Sequence, residues 1–375
     1  MYKIINKQSG VALITAMIIS GIAISLAGIV MYRQQIHIRL SSNISHLEQS
    51  YLYAKGMEDW AGTILEKTYK DHKDYDSLED DWAVLLPPIS IPGGVMNGQL
   101  YDLQARINLN SIARPKPKKT PQGGNQGGNQ GGNIPHQPTN GAGGQQEANG
   151  ANQAQTKPDI AKITKKQLIN LMTQLDPDQE MGPPQNFVDI LSDWIDKDQE
   201  TRDFGAESDY YQSQEPAYFS ADSLLISPTE LRLLKGMNTE ESKKVYDKLL
   251  QYITTLPIKE GKTPIDTPIN INTASLEVLK AIGFDPASAE AIRAEVKKRP
   301  FRNHNEFKEY LDNNNNITKP DKFDENLEIK NLSVKSSFFL LQGNVKINNA
   351  RLFINSILER KNGKVSVIMR DFRNP

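Results

Sequence analysis

The sequence predicts an α+β fold: one long N-terminal helix packed on a small antiparallel sheet, with a large all-α domain inserted between the strands. Three observations carry this expectation. An uncharged run of 21 residues, Val11 to Met31, continues into an amphipathic pattern that meets no proline before Asp71. A segment of period two begins at Tyr101, and the remaining strand-like segments lie beyond Val334. The long stretch between them has helical periodicity. A lone early strand has no partner of its own, so it must pair with the late strands against the outer half of the helix and leave the helical block as an insertion.

The 375 residues hold 45 acids against 44 lysines and arginines, a net charge of −1 that gives no global reason to expect nucleic acid or an anionic surface as partner. With no cysteine there is no disulfide, no thiolate zinc site and no cysteine nucleophile.

At the N-terminus Lys3, Lys7 and Gly10 precede the uncharged run, and Arg33 follows it. At ~1.5 Å rise per residue the run is ~31 Å long, enough for a single pass through a bilayer. A short basic leader, a glycine and then Val11-Ala12-Leu13-Ile14-Thr15-Ala16-Met17 resemble a type IV pilin-like precursor, which a prepilin peptidase cuts after the glycine. Two other readings stay open. One is a plain anchor; the other is a secretory signal peptide, because Ser25-Leu26-Ala27 before Gly28 satisfies the small-x-small rule. Basic residues on both sides leave the orientation open.

Beyond the membrane segment, Leu40, Ile44, Leu47, Tyr51, Ala54, Ala61 and Ile64 recur mostly three and four apart, so one helix continues with an apolar stripe. Tyr101, Leu103, Ala105, Ile107 and Leu109 then alternate with polar residues as in a half-buried strand. Residues 114–157, rich in Gly, Asn, Gln and Pro, cannot bury a core and read as a linker. Helices are expected over Leu168 to Leu175, Phe187 to Ile195, Pro228 to Lys235, Glu240 to Leu256, Leu276 to Ile282, Ala287 to Lys298 and Asn305 to Leu311. A faint repeat aligns Leu231, Leu234, Lys235 and Gly236 with Leu276, Leu279, Lys280 and Ala281. Val334 to Leu341, Val345 to Ile347, Leu352 to Leu358 and Val365 to Met369 read as strands, with Lys361-Asn362-Gly363-Lys364 as a hairpin turn. The expected organisation is a leader (1–10), a membrane or filament-core helix (11–31), an outer helix with the first strand (32–113), the linker (114–157), the inserted α domain (158–326) and the closing strands (327–375).

The densest chemistry lies between Asp193 and Asp209, where seven carboxylates face only Lys197 and Arg202. Such density is repulsive unless a cation sits among the acids. Asp196, Asp198, Glu200 and Glu207 fall at positions 1, 3, 5 and 12 of an EF-hand-like loop, yet position 6 is Thr201 instead of glycine. A Ca²⁺ site of another geometry and a solvated acidic loop both remain open. Asn270 to Leu311 resembles a helix-hairpin-helix module, but its hairpin, Ile282-Gly283-Phe284-Asp285-Pro286, lacks the second glycine and puts an aspartate where a phosphate would approach. From Leu276 to Leu311, seven basic and six acidic side chains net only +1, which speaks against nucleic acid. Gly261-Lys262-Thr263 has Leu256 where a phosphate loop needs glycine, the five histidines (His37, His46, His72, His136 and His304) show no metal spacing, and no catalytic constellation is evident.

Together these pieces resemble one family, the large minor pseudopilin (K subunit) of type II secretion systems. The resemblance rests on Gly10-Val11-Ala12-Leu13, the strand Asp102 to Asn110, the acidic run Asp193-Trp194-Ile195-Asp196-Lys197-Asp198-Gln199-Glu200, and Asp209-Tyr210-Tyr211. It extends through Glu230 to Gly236, Ile271-Asn272-Thr273-Ala274 and Leu358-Glu359-Arg360, in the family's order. It implies a non-enzymatic, pilin-like subunit of the Gram-negative inner membrane with its bulk in the periplasm, cut between Gly10 and Val11 and N-methylated at Val11. It also implies a place at the pseudopilus tip with the I and J minor pseudopilins above the major pseudopilin, with secretin or secreted substrates as further candidate partners. Thr15 stands where most pilins carry a glutamate, which suits a subunit with no neighbour above it. The resemblance further implies Ca²⁺ in the α domain, with Asp196, Asp198, Glu200, Asp203, Glu207 and Asp209 as candidate ligands. A periplasmic helix-hairpin-helix nucleic-acid binder and a minor pilin of a type IV pilus are the alternatives.

Overall fold

The computed structural model of the chain describes residues 9–85, 87–113, 160–256, 267–318 and 331–372. Most of the leader, the linker expected at 114–157 and the Gly261-Lys262-Thr263 sequence lie outside the described residues. Helix α1 (Ser9–Asp71) is followed by β1 (Ile89–Ile91), β2 (Gly94–Asp102), β3 (Ile107–Asn108), α2 (Ile160–Leu175), α3 (Pro184–Ile195), α4 (Ser208–Gln212) and α5 (Glu240–Leu249). Then come β4 (Ile253–Thr254), β5 (Ile269–Asn270), α6 (Leu276–Ile282), α7 (Pro286–Lys298), α8 (His304–Asn313), β6 (Leu332–Ser333), β7 (Phe338–Ile347), β8 (Ala350–Lys361) and β9 (Lys364–Asp371).

The 63-residue α1 is continuous, as its proline-free sequence requires. Its buried positions are Ser50, Ala54, Met57, Glu58, Ala61, Leu65 and Thr68, spaced three and four apart, and they pack on β7, β8 and β9. The stripe expected from Leu40 is only half used. Leu40, Ile44, Leu47 and Tyr51 stay exposed because the sheet ends level with Ser50. The sheet is antiparallel in the order β1-β2-β7-β8-β9, so the early strand does pair with the late ones. Gly98 faces Gly343 across the β2–β7 pair, and Met57 fills the notch they leave. A methyl group on Gly343 would lie 2.7 Å from Met57 Cε. Asn362 and Gly363 both adopt positive φ (53° and 75°), as the expected two-residue hairpin turn demands.

Several boundaries differ from expectation. The early strand begins at Gly94 and stops at Asp102, whose carboxylate caps a 3-10 turn by accepting from Gln104 N at 2.7 Å. The period of two beyond it runs through that turn (Leu103–Ala105), the two-residue β3 and a second 3-10 turn, Leu109–Ile112. Pro228–Leu233 is 3-10 rather than α-helical, and α5 ends at Leu249 so that β4 can form. The two strands expected around Gln342 to Asn344 are one strand, β7, carried through Gly343.

The inserted domain holds two copies of one module, in a different register from the repeat the leucines suggested. Ile107-Asn108-Leu109-Asn110 and Ile269-Asn270-Ile271-Asn272 open the modules, and β3 pairs in parallel with β4 as β5 does with β6. Asn108 Oδ1 accepts from Asn110 N at 3.2 Å, and Asn270 Oδ1 accepts from Asn272 N at 3.0 Å. The Asn110 amide brackets the backbone of Leu225 (2.9 and 2.9 Å), and the Asn272 amide brackets Phe301 (3.0 and 2.8 Å). Two residues on, Ser227 and Asn303 cap the next helix, and Glu230 and Glu306 reach back to Ile226 N and Arg302 N. The repeat is thus carried by side-chain amides that replace missing strand partners, not by the helix leucines. Ile107, Leu109, Ile112, Leu332 and Val334 all join the helical core, so residues 107–112 and 332–334 belong to the inserted domain rather than to the pilin-like core assigned to them above.

Where the domain meets the sheet, a buried polar joint stands beside a small apolar cluster of Leu103, Leu256 and Phe338. Arg360 on β8 donates to Asp76 at 2.6 and 2.5 Å, to Ser336 O at 2.8 Å and to Leu65 O at 3.2 Å. Ser336 N donates to Asp76 at 2.8 Å, while Ser336 Oγ and Thr273 Oγ1 donate to Asp102 Oδ2, each at 2.5 Å. Asn270 Nδ2 donates to Ser336 Oγ at 2.8 Å and to Asp102 at 3.3 Å. Burial pushes the Asp102 carboxyl up to about 6, against the lowering effect of its Ser336, Thr273 and Gln104 donors. Lower on α1, Glu58 binds Arg370 (2.6 and 2.7 Å), Ser356 and Lys55. Burial alone would raise its carboxyl, but these donors outweigh burial and hold it at about 2.

Replacing Arg360 with methionine strands Asp76 in the interior and should destabilise the chain by about 3–5 kcal/mol, read from urea unfolding. The native state holds the Asp102 proton more tightly than the unfolded chain does. That group's contribution is therefore greatest below its ordinary value of 3.8 and is lost as pH rises through about 6. Wild type should lose stability relative to Asp102→Asn between about pH 4 and about pH 6 and level off above, measured by urea midpoints at each pH.

Candidate functional site

The acidic sequence between α3 and α4 folds into one cluster around a buried ion pair. Asp193, in the last turn of α3, is fully buried and pairs with the Arg202 guanidinium, which also reaches Asp196 Oδ2 at 2.7 Å. Arg202 N donates to Asp193 Oδ2 at 3.1 Å. The chain passes so close to this carboxylate that a Cβ on Gly205 would lie 1.7 Å from Asp193 Oδ2, so only glycine fits there. Asp196 ends α3, and Glu207 occupies the N-cap position of α4. Two turns of chain thus converge on one point. Asp196, Asp198 and Glu207 each bring a carboxylate oxygen to within 4.8 Å of the others.

The electrostatics of this point are unbalanced. Glu207 is buried, and both of its carboxylate oxygens, like Asp196 Oδ1, lack a hydrogen-bond partner among the described residues. Burial first, then the charges of Asp193, Asp196, Asp222 and Asp198, push the Glu207 carboxyl up to about 7. Burial also raises Asp196, in spite of Arg202. Arg202 is committed to Asp193 and to the other oxygen of Asp196, while Glu200 N donates to Asp198 Oδ1 at 3.2 Å, so the oxygens without a partner among the described residues are those of Glu207 and Asp196 Oδ1. Hard oxygen donors at this spacing fit a divalent ion of the calcium type.

Of the six acids singled out from sequence, the fold brings together Asp196, Asp198 and Glu207. Glu200, Asp203 and Asp209 are exposed and lie outside the group. Sequence reasoning missed Asp222, whose charge bears on Glu207. It lies beyond the acidic run, where Ser220 Oγ donates to it at 2.6 Å and Gln199 Nε2 at 3.3 Å, and its N–H bonds Trp194 O at 3.1 Å. No spacing signal marks it, because a long excursion through α4 returns it to the end of α3. An aromatic layer of Trp194, Tyr211 and Tyr218, with rings 4.9 to 6.4 Å apart, backs the cluster.

The other sequence-marked sites are at the N-terminus and at the helical hairpin. From Val11 the helix is long and apolar enough to cross a membrane, with mean hydropathy 2.4 in its best window and none of that window buried. Gly10 lies within the helical backbone. The Thr15 hydroxyl turns back to donate to Val11 O and Ala12 O at 3.1 and 3.0 Å, so a neutral, internally satisfied side chain occupies this position. At the hairpin, Asp285 is consumed as the N-cap of α7, accepting from Ser288 N at 3.0 Å and Ser288 Oγ at 2.6 Å. An anionic cap at the apex repels a phosphate.

A membrane-length helix laid on an antiparallel sheet, with a helical domain inserted between two neighbouring strands, defines a pilin-like subunit of unusual size. Models of type II secretion system protein K match residues 105–258 and 269–329, the two modules of the inserted domain. The chain belongs to this family of minor pseudopilins. It is 28% identical to type II secretion system protein K of Pseudomonas aeruginosa over 373 residues, covering 97% of this chain and 92% of that one. With the Aeromonas hydrophila protein of the same name it shares 24% over 369 residues, 97% of each chain. A chain in the crystal structure of the GspK-GspI-GspJ complex of enterotoxigenic Escherichia coli shares the fold, at a TM-score of 0.63 and 22% identity over 89% of this chain and 99% of that one.

Glu207→Gln removes a buried, repelled carboxylate. In chelator-treated protein it should raise the thermal midpoint by a few degrees, measured by scanning calorimetry.

Proposed function

We propose that this chain caps the tip of the type II secretion pseudopilus and starts its assembly with the I and J minor pseudopilins, on top of the major pseudopilin. The observation that carries this reading is the split use of α1. Residues 11–49 present an apolar surface with no buried position, the length a neighbouring helix bundle would cover, while residues 50–68 are spent on the chain's own sheet. The inserted domain sits at the far end of that sheet, where it blocks the addition of a subunit above. A neutral Thr15 suits the same end, since a carboxylate at mid-bilayer costs ~2.5–3.5 kcal/mol on insertion scales and a terminal subunit has no amine above to pair with it. In the Escherichia coli crystal structure the K protein is in complex with I and J, which supports these partners. In this reading prepilin peptidase cuts after Gly10, Val11 becomes the methylated N-terminus, and the bulk of the chain stands in the periplasm of a Gram-negative cell.

Ca²⁺ would be held by Asp196, Asp198 and Glu207, where it would supply the positive charge that the orphaned oxygens lack and tie the α3–α4 excursion to the domain. Glu200, Asp203 and Asp209 are exposed and lie outside that group, so this reading does not use them as ligands.

Two outcomes test the reading. The mature chain from native membranes should begin at N-methylated Val11 by mass spectrometry and co-purify with I and J; a chain starting at Gly28 would overturn it. Adding Ca²⁺ to chelated protein at about a hundredfold excess over its dissociation constant should stabilise it by about 2.7 kcal/mol, a rise of several degrees in the thermal midpoint. Glu207→Gln should abolish that rise.

A further inference from the structure

The two edges of the sheet are finished differently. The β1 edge is three residues long and follows Pro87 and Pro88, a blunted edge that offers little to another strand. The opposite edge, β9, runs for eight residues without proline and leaves Val367, Ile368 and Met369 more than a third exposed, with Phe372 just beyond it. Because the two-residue turn makes Lys361 and Lys364 the hydrogen-bonded pair, the N–H groups of Val365 and Val367 point away from β8, up to a bulge that shifts the register between Val367 and Met369. Glu66 Oε1 confirms this direction by accepting from Val365 N at 3.1 Å. None of the described residues bonds the backbone of Val367 on that side.

Beside this edge lies a groove of about 190 Å³ between α1 and β9. Its floor is Val365 and Val367, and its α1 wall carries Asp59, Thr63 and Glu66. Glu58, deeper in the wall, is already neutralised by Arg370 and Lys55. Asp59 is exposed and Glu66 half-buried, so the accessible charge of the groove is negative. At the bulge the exposed side chains of Ile368 and Met369 are apolar.

We propose that β9 is a docking edge for an extended segment of a partner chain in which Lys or Arg alternates with apolar residues. Such a segment adds a strand through the Val367 backbone. Its basic side chains lie with their stems on Val365 and Val367 and their charges at Asp59 and Glu66, and its apolar side chains extend the Ile368 and Met369 surface. A second copy of this chain is a poor occupant, because two β9 edges brought together would place one acidic wall against the other.

The test uses the full chain in detergent and two labelled ten-residue peptides, one alternating Lys with Val and one alternating Glu with Val. The Lys-Val peptide should bind at least tenfold more tightly than the Glu-Val peptide and slow hydrogen exchange at Val367. Val367→Pro removes only an outward N–H and should cut that affinity at least tenfold with an unchanged thermal midpoint. Asp59→Lys leaves the strand intact and should reduce the Lys-Val preference severalfold. Equal binding of both peptides, no binding, or binding indifferent to both substitutions would overturn the proposal. So would a peptide-free dimer in sedimentation that Val367→Pro dissolves, since the edge would then serve self-association.

Discussion

The arrangement of the molecule depends on the buried contact between Arg360 and Asp76. Arg360 belongs to the sheet, Asp76 to the chain leaving α1, and the Ser336 backbone between them to the segment returning from the inserted domain. An arginine that is 4% exposed is tolerable only if its donors are used, and here they are shared among a carboxylate and two carbonyls. Asp102, Asn270 and Thr273 extend the same network into the α domain. Three parts of the chain are therefore referenced to one guanidinium. Apolar packing at this joint would hold them together as well, but it would leave their relative angle poorly specified, whereas hydrogen bonds fix direction.

Above and below that joint the chain follows two packing rules. Below it, α1 uses small or flexible side chains against the sheet, with Met57 filling the gap over Gly98 and Gly343, so helix and sheet approach closely. Above it, the α domain is built twice from one plan in which an asparagine bridges the backbone of a distant loop. The plan makes a compact helical body from short elements, none of which would be stable alone. Among the described residues the acidic cluster belongs to the first module only: the second module shows no counterpart to the excursion from the end of α3 through α4 that carries Glu207 and Asp222.

Much of this was legible in the sequence, for reasons that differ from element to element. The long helix could be read because hydropathy, length and absence of proline agree over its whole course. The C-terminal hairpin could be read because Asn362-Gly363 admits few other conformations. The early strand was displaced because apolar and polar residue types alternate across Asp102 even though the strand stops there and Asp102, Leu103 and Gln104 are all buried; Asp102, read as one more polar position, is a cap. The module repeat was misaligned because its signal lies in asparagine side chains, whose partners are over a hundred residues away in one copy and about thirty in the other. At the acidic site, charge density marked the segment that holds the cluster, but only the path of the chain between α3 and α4 decides that Glu207 converges with Asp196 while Asp203 and Asp209 do not.

The place of the insertion also bears on the order in which the molecule is made. β2 ends and β7 begins side by side, with Asp102 opposite Phe339, so the whole helical domain is a loop between two neighbouring strands. For an unfolded loop of that length, closure alone costs roughly 5 kcal/mol before a single strand pair forms. Once the domain has collapsed on its own core, Asn270 and Thr273 present Asp102 to Ser336 and the two strand ends are already adjacent. The helical body then serves as the template for the sheet, so the part of the chain farthest from the apolar segment of α1 is completed before the sheet beside α1 can close.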